Sequence, residues 1–575
     1  MNDIRRTILW VIFGFSMVLL WDQWQIHNGR KATFFPTPPT QSEVSVKPNA
    51  GTTVQATGVP ASAPTMLAGG AAGTAPATSA PTVAAAPVAH ERFEVTTDVL
   101  KLTFDTEGGT LVRSEFLRHA DKDGHVVLLN DAKDRVYMAQ TGVIGSNAPV
   151  GFPTHKTVMT ASPARALKDG DDQLVLTFTS HEVGGVKLVK TYTLRRGSYD
   201  IAVKHEVTNV SSAPLAPQLY LQLVRDGNKP EGESAFYSTF TGPAVYTAAK
   251  KYQKVEFSDI KKKNAEYERQ ASDGYIAMVQ HYFLTAWLLP EGVPRTISLD
   301  GVDIGSNVAD CCYRATLISP FESLAAGASK SIEAKLFVGP QEEKMLEALS
   351  PGLELVKDYG YFTILAKPLY WLLDKLHGVI LNWGWAIVAL VFLLKVAFFW
   401  LNEKAYASMA KMKAINPKIM EMRERLKENP QQMQQEMMRI YREEKVNPMG
   451  GCFPIMIQIP VFIALYWVLL STVEMRGAPW ALWIHDLSAP DPYYILPLVM
   501  TLTTLLQTAL NPAPPDPMQA KMMWLMPLLF SVMFFFFPSG LVLYWITNNV
   551  LSIAQMWVIN TRMGVPPQFN LPRFK

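Results

Sequence analysis

Residues 379–401 read VILNWGWAIVALVFLLKVAFFWL, a run long enough to cross a bilayer and interrupted near its far end by one charge, Lys395. A helix rising about 1.5 Å per residue needs roughly 20 apolar residues to span a hydrocarbon core of about 30 Å. A lysine at that depth costs on the order of 2.5–3.5 kcal/mol, so it must reach water, a partner or the interface. Two readings stand. Either the butyl stem of Lys395 snorkels toward the headgroups near Leu401, or the ammonium faces a water-filled cavity inside a helix bundle.

Composition frames that run. Of 575 residues 18% are charged, and 25 Met, 14 Trp and 28 Phe fit a chain partly in lipid. A net charge of +3 with no basic-aromatic module gives no reason to expect nucleic acid. Cys311 and Cys312 are adjacent and Cys452 stands alone, so neither a disulfide scaffold nor metal-ligand spacing is present. The chain contains no GxSxG, no HExxH and no phosphate-cradling glycine loop. Catalytic residues, metals and cofactors are therefore not expected.

Upstream, residues 1–21 carry Arg5 and Arg6 ahead of ILWVIFGFSMVLLW, with no prompt small-x-small site after it. They read as an uncleaved signal anchor whose arginines stay cytoplasmic. Residues 22–90 are dominated by Ala, Pro, Thr, Gly and Ser without apolar period, the pattern of a disordered, exported tether. From residue 91 the pattern alternates. Leu100, Leu102 and Phe104 face one way, as do Leu174, Leu176 and Phe178. After Gly184-Gly185 the period continues through Val186, Leu188, Lys190, Tyr192 and Leu194, then Ile201, Val203, His205 and Val207. Repeated short strands with turn signals predict an antiparallel β-sandwich over residues 91–340.

Residues 341–378 connect this domain to the membrane. Leu369, Leu372, Leu373, Leu376, Val379 and Ile380 form a stripe after Pro368 that predicts a helix on the membrane surface, with Asn382 and Gly384 marking a bend. Residues 402–448 hold ten Lys and Arg against seven Glu, which places them in the cytoplasm. They read as a helical hairpin. Its first arm carries Met409, Met412, Ile415, Ile419, Met422 and Leu426, with Pro417 as a kink. The second starts at Asn429, Pro430 and Gln432 and presents Met433, Met437, Ile440 and Tyr441 on one face. The two stripes are expected to pack on each other, while Lys411, Lys413, Lys418 and Arg423 suit a ribosome or an anionic lipid surface.

Further spans are expected at 449–473, 493–510, 522–537 and 541–560. A periplasmic loop at 474–492 carries Trp480 and Trp483 as interfacial aromatics, a cytoplasmic loop lies at 511–521, and a tight turn at 537–540 joins the last two spans. A cytoplasmic tail follows at 561–575. The expected fold is a polytopic α-helical membrane protein with six transmembrane helices, an anchor plus a five-helix core. It carries a large exported antiparallel β-sandwich domain and a cytoplasmic helical hairpin, with both termini cytoplasmic. Within the spans, Gln458, Thr501, Thr503, Thr504, Gln507, Ser531, Thr547, Asn548 and Asn549 serve either as hydrogen-bonding glue between helices or, with Lys395, as the lining of a wet cavity.

YASMAKM from Tyr406, KVNPMGGCFPIMIQIPVF from Lys445, ALWIHDLSAPDPYYILP from Ala481 and FPSGLVLYWITNN from Phe537 resemble the bacterial YidC membrane-protein insertase family, relatives of the mitochondrial oxidase-assembly and chloroplast Albino insertases. The resemblance implies an inner-membrane protein whose five-helix core holds a hydrophilic groove, open to cytoplasm and lipid and closed outward. Such a groove takes the polar part of a nascent membrane protein while its apolar segment moves into lipid, without nucleotide or cofactor. The resemblance makes Lys395 the groove cation, where the family usually carries arginine. It sets Gln458 and Phe462 beside the substrate path on the third span, and Tyr544 on the last span. Trp545 stands where a close relative has a second tyrosine, and Val391 where it has a threonine. Thr504, Gln507, Asn548 and Asn549 complete the expected path. The implied partners are nascent membrane proteins, the Sec translocon SecYEG, transient ribosomes and membrane lipids. The family's exported domain resembles sugar-mutarotase sandwiches, but no residues here license an enzymatic assignment.

The rival class is an enzyme: a carbohydrate-active exported domain on an anchor, or an intramembrane hydrolase pairing Lys395 with a serine such as Ser531. A serine–lysine dyad needs hydrogen-bond reach and an oxyanion site, and no serine motif of that kind occurs in the sequence. A transporter would show internal repeats in matching halves, which the sequence lacks.

Overall fold

The computed structural model describes residues 90–121, 124–145, 151–230, 239–426, 429–444, 453–511, 517–562, 564 and 569. The expected anchor, the tether up to residue 89, the 445–452 junction, residues 512–516 and most of the tail lie outside the described residues, while 517–521, expected as loop, already belong to a helix. Of the described residues, 517–526 group apart from the rest; except for the bounds of the helix they begin, everything below concerns the unit 58–512 and 527–570.

Alternation builds the sandwich. Leu100, Leu102, Phe104, Leu176, Phe178, Val186, Leu188, Tyr192, Leu194, Ile201, Val203 and Val207 all turn into one buried cluster, as the period of two requires. Among the described residues the strands form two nine-stranded sheets. In one, Gln218–Arg225 lies between Val136–Ile144 and Tyr313–Pro320. In the other, Ser329–Pro340 lies between Phe283–Leu288 and Asp200–Asn209, all these pairs antiparallel. Stacking rings from several strands, among them Phe116 and Phe283 with centroids 4.8 Å apart, fill the space between them. Two short helices belong to this part of the chain, α1 (Phe257–Lys261) and α2 (Glu343–Leu349).

The membrane region is helical: α3 (Thr363–Ile380), α4 (Trp383–Ala397), α5 (Phe399–Arg425), α6 (Pro430–Glu443), α7 (Phe453–Ser471), α8 (Ile495–Leu510), α9 (Pro517–Met533) and α10 (Ser539–Arg562). The run at 379–401 is not one helix. Leu381 takes a left-handed φ of 59°, which ends α3, and the Asn382 side chain then accepts from the Trp385 N–H to start α4. Val379 and Ile380 thus belong to the preceding helix. A second break at Phe398 leaves α4 with 15 residues, about 22 Å of rise. The helix α3 begins five residues before Pro368 rather than after it, and buries Ala366, Leu369, Tyr370 and Leu373. The hairpin arms pack as the stripes predict, with Ile415, Ile419 and Met422 against Met433, Met437, Ile440 and Tyr441. Asn429 caps α6 by accepting from the Gln432 N–H, and Pro430 opens it. The helix α5 continues through Pro417.

Among the described residues only α10, at 24 residues, is long and apolar enough alone to cross a membrane; shorter apolar helices cover 383–397, 459–471, 495–510 and 520–536. The outward faces of this bundle are unsuited to water. Phe392, Leu393, Val396, Leu498, Leu502, Leu528, Leu529, Phe530, Val550 and Trp557 are exposed on successive helices. An exposed apolar surface of this extent marks contact with lipid or another partner.

Alternation also carries polar residues inward, Lys190 and His205 among them. Lys190 points inward and is fully buried, donating to the Gly108 carbonyl at 2.6 Å and the Thr141 carbonyl at 2.7 Å. Burial pushes its pKa down to about 7. An unfolded lysine titrates near 10.4. Between those values the unfolded chain binds the proton and the folded chain does not, so this residue's contribution rises with pH from about 7 to about 10 and is flat below 7. Chemical unfolding of the intact protein and of Lys190→Met across that range should therefore give curves whose difference changes by roughly 1.4 kcal/mol per pH unit. A constant difference would show that the ammonium stays charged inside the sandwich.

Candidate functional site

At the end where α4 and α10 begin, the segment 474–492 forms a fastened cap. The Asn382 amide donates to the carbonyls of Pro479 and Trp480 at 3.2 and 3.1 Å. The backbone N–H groups of Ser539 and Gly540 donate to Ala489 at 2.8 Å and Leu487 at 2.9 Å. Asp491, almost wholly buried, accepts from the Trp483 indole at 3.0 Å and from the N–H groups of Tyr493 and Leu496. Gly384 lets Trp480 lie directly on α4, because a Cβ there would collide with the indole. Trp480 and Trp483 thus serve as packing and hydrogen-bonding parts of this cap.

Below the cap an open groove of about 360 Å³ is lined by α7, α8 and α10. Phe462, Thr504, Gln507, Tyr544, Trp545, Asn548 and Asn549 line it, all expected from the sequence, together with Ile459, Thr508 and Asn511, which were not. Phe462 stacks near Tyr544 at 5.6 Å and meets Trp545 edge-on at 4.7 Å. The Asn549 amide donates to Thr504 Oγ1 at 2.9 Å and Thr503 Oγ1 at 3.2 Å, tying α10 to α8. Other hydroxyls in the spans, those of Thr501, Thr547 and Ser531, donate to carbonyls one turn back in their own helices. The Gln458 side chain lies outside the described residues.

Lys395 does not line that groove; it stands one turn beyond it. Its ammonium donates to Ser552 Oγ at 2.7 Å, and that hydroxyl donates to the Asn548 carbonyl at 2.6 Å. One turn further, the Asn402 amide of α5 donates to Gln555 Oε1 of α10 at 3.3 Å. At 3.6 residues per turn Tyr544, Asn548, Ser552 and Gln555 fall within an arc of about 80° on one face of α10. Asn402, Ser552 and Gln555 were missed in the sequence, though polar residues at Asn548, Ser552 and Gln555 carry the spacing of one helix face. Ser531 is not the serine beside Lys395.

On the hairpin, Lys411 is exposed, and Lys418 is exposed and paired with Glu444 at 2.5 Å. Arg423 is half-buried, and the Lys413 side chain lies outside the described residues.

The family model for the YidC periplasmic domain matches residues 92–372, and that for the 60Kd inner membrane protein matches residues 375–565. The chain is 54% identical to the membrane protein insertase YidC of Cupriavidus necator, with 98% of each chain covered. It is 50% identical to that of Bordetella pertussis over 98% of both. The chain belongs to the YidC family of membrane protein insertases. A crystal structure of an active YidC insertase with its first transmembrane domain resolved aligns at a TM-score of 0.36 and 18% identity, covering 80% of this chain and 91% of that one. A galactose mutarotase related enzyme from Lactobacillus acidophilus aligns at 0.30 and 8% identity, covering 43% and 97%. Membership in this insertase family displaces both enzyme readings.

In this YidC-family chain the sandwich is fastened to the helices by buried polar contacts. Lys357, with no exposed side-chain surface, pairs with Glu474 of the cap at 3.4 Å. The Tyr370 hydroxyl donates to the same carboxylate at 2.7 Å, and the Tyr359 hydroxyl donates to Glu343. His281 Nε2 donates to the Leu470 carbonyl at 2.9 Å, and Val473 enters the sandwich core. Burial pushes the Lys357 pKa down, opposed by the Glu474 charge. Removing one partner of a buried pair leaves an uncompensated charge, whereas removing both does not. Glu474→Gln should therefore destabilise the protein by on the order of 3 kcal/mol, read as a lower thermal midpoint in detergent. Adding Lys357→Met should recover most of the loss; a double variant as weak as the single one would exclude the pair as the cause.

Proposed function

We propose that the protein receives nascent membrane proteins in the groove between α7, α8 and α10, holds their polar segments there, and releases their apolar segments sideways into the inner membrane. The observation that carries this reading is the polar lining of Thr504, Gln507, Asn548 and Asn549 inside a bundle whose outer faces are apolar. Each unsatisfied backbone group in hydrocarbon costs several kcal/mol. Side-chain amides and hydroxyls offer replacement partners, so a polar stretch can enter without meeting bare lipid. The cap over one end supports entry from the opposite, hairpin side.

In this reading the chain has six spans, the anchor at 1–21 and five in the core, with the sandwich periplasmic and both termini cytoplasmic. Arg5, Arg6 and the basic hairpin then share one side. Thiol labelling of Ala120→Cys from the periplasmic side tests that orientation; protection until the inner membrane is opened would refute it. The exposed cations Lys411 and Lys418, with Lys413 and Arg423, meet ribosomes or anionic lipid transiently, and SecYEG shares some of the clients. Gln458 joins the path from α7.

Lys395 supplies the positive charge at the inner end of this path. A client carboxylate 4 Å from it gains about 4 kcal/mol at an effective dielectric of about 20, before desolvation is subtracted. That biases entry without trapping the client. In cells depleted of the native protein, Lys395→Leu should slow insertion of a client with an acidic exported tail more than one with a neutral tail. Lys395→Arg should insert both. A photocrosslinker in place of Phe462 or Tyr544 should join a stalled client. Full insertion of both clients by the Leu variant would remove Lys395 from the path, and the absence of adducts would remove the groove.

A further inference from the structure

The face of α10 that lines the groove does not stop at Asn548. It continues through Ser552 to Gln555, and there it meets Asn402 at the base of the hairpin arm α5. Both amides are more than nine-tenths buried. They share a single hydrogen bond of 3.3 Å, at the long end of the range. Among the described residues the other half of the Gln555 amide, the Nε2 donor, has no partner. Two buried amides serving only cohesion would be expected to satisfy each other, because an unmet donor in a dry site is costly. An apolar pair would pack this crossing with no such cost.

We propose that Asn402 and Gln555 are positioning residues at the inner mouth of the groove, where the Gln555 Nε2–H takes an acceptor oxygen of the passing client, a backbone carbonyl or a carboxylate. The inference rests on the groove reading and extends it. The amide pair holds the mouth closed through one long hydrogen bond. An incoming chain exchanges that bond for its own, one turn before it meets Lys395 on Ser552 and two turns before Asn548 and the groove. Because Asn402 belongs to α5, displacement of the hairpin base opens the same contact.

The test uses the full chain in cells depleted of the native protein. Asn402→Leu combined with Gln555→Leu replaces the amide pair by an apolar contact, and the exchanged pair Asn402→Gln with Gln555→Asn keeps two amides. The apolar pair should retain its thermal midpoint yet insert a client with a long polar exported segment roughly two- to tenfold more slowly, the span of one net hydrogen bond. The exchanged pair should insert at close to the native rate. An apolar pair that inserts at full speed would overturn the proposal. Independently of how those variants fold, Gln555→Cys should form a disulfide with a cysteine in the polar segment of a stalled client. Tyr544→Cys serves as the reference. Adducts at Tyr544→Cys but none at Gln555→Cys would overturn this inference alone, while adducts at neither would overturn the groove reading beneath it.

Discussion

The requirement that polar groups find partners when water is absent governs this structure. In the helical region backbone demand is met within each helix, which leaves side chains to decide what faces lipid and what faces inward. Leu498, Leu502, Leu528, Leu529 and Val550 take the outside. The amides and hydroxyls of Thr504, Gln507, Asn548 and Asn549 take the inside, where they can bond across helices or to a guest. One face of α10 collects most of this polarity, and it passes without interruption from Tyr544 to Gln555. A single helix therefore links the groove, the lysine and the hairpin base.

The two ends of the bundle are built differently. At the cap, backbone N–H groups of Ser539 and Gly540, the buried Asp491 and the Asn382 amide all cross between segments, and the Lys357–Glu474 pair adds the sandwich to the same assembly. At the hairpin end, among the described residues, the polar ties from α10 to α4 and α5 are two side-chain bonds, Lys395 to Ser552 and Asn402 to Gln555. Many bonds of several kinds resist displacement together, whereas isolated side-chain bonds exchange one at a time. The proposed path, closed at the cap and entered from the hairpin end, calls for that asymmetry.

Strand alternation was legible because a period of two survives any tertiary arrangement, and it correctly turned even Lys190 and His205 inward. The hairpin was legible from its methionine stripes and from the Asn429–Pro430 start. In the 379–401 run the bend at Asn382 was legible, with Val379 and Ile380 already in the preceding stripe, whereas the second break at Phe398 was not, because hydropathy sees no difference across it. The bend is made by a backbone angle and by the Asn382 cap. Groove residues Phe462, Tyr544 and Trp545 came from the family resemblance. Thr508 and Asn511 were missed, since only the packing of α8 on α10 decides which side of a helix faces a cavity.

The two readings of Lys395 part on where the ammonium goes. A snorkelling lysine extends its stem along the helix toward the nearer headgroups and leaves its charge in water. Here the ammonium turns to a buried hydroxyl on a neighbouring helix, on the face that continues into the groove. Among the described residues no carboxylate pairs with Lys395, so under the proposed groove reading its charge is balanced intermittently, by water or by a guest. Ser552 offers one acceptor while its own proton is engaged by the Asn548 carbonyl. The lysine is thus oriented inward by a neutral partner, the arrangement that the proposed transient contact with an acidic client calls for.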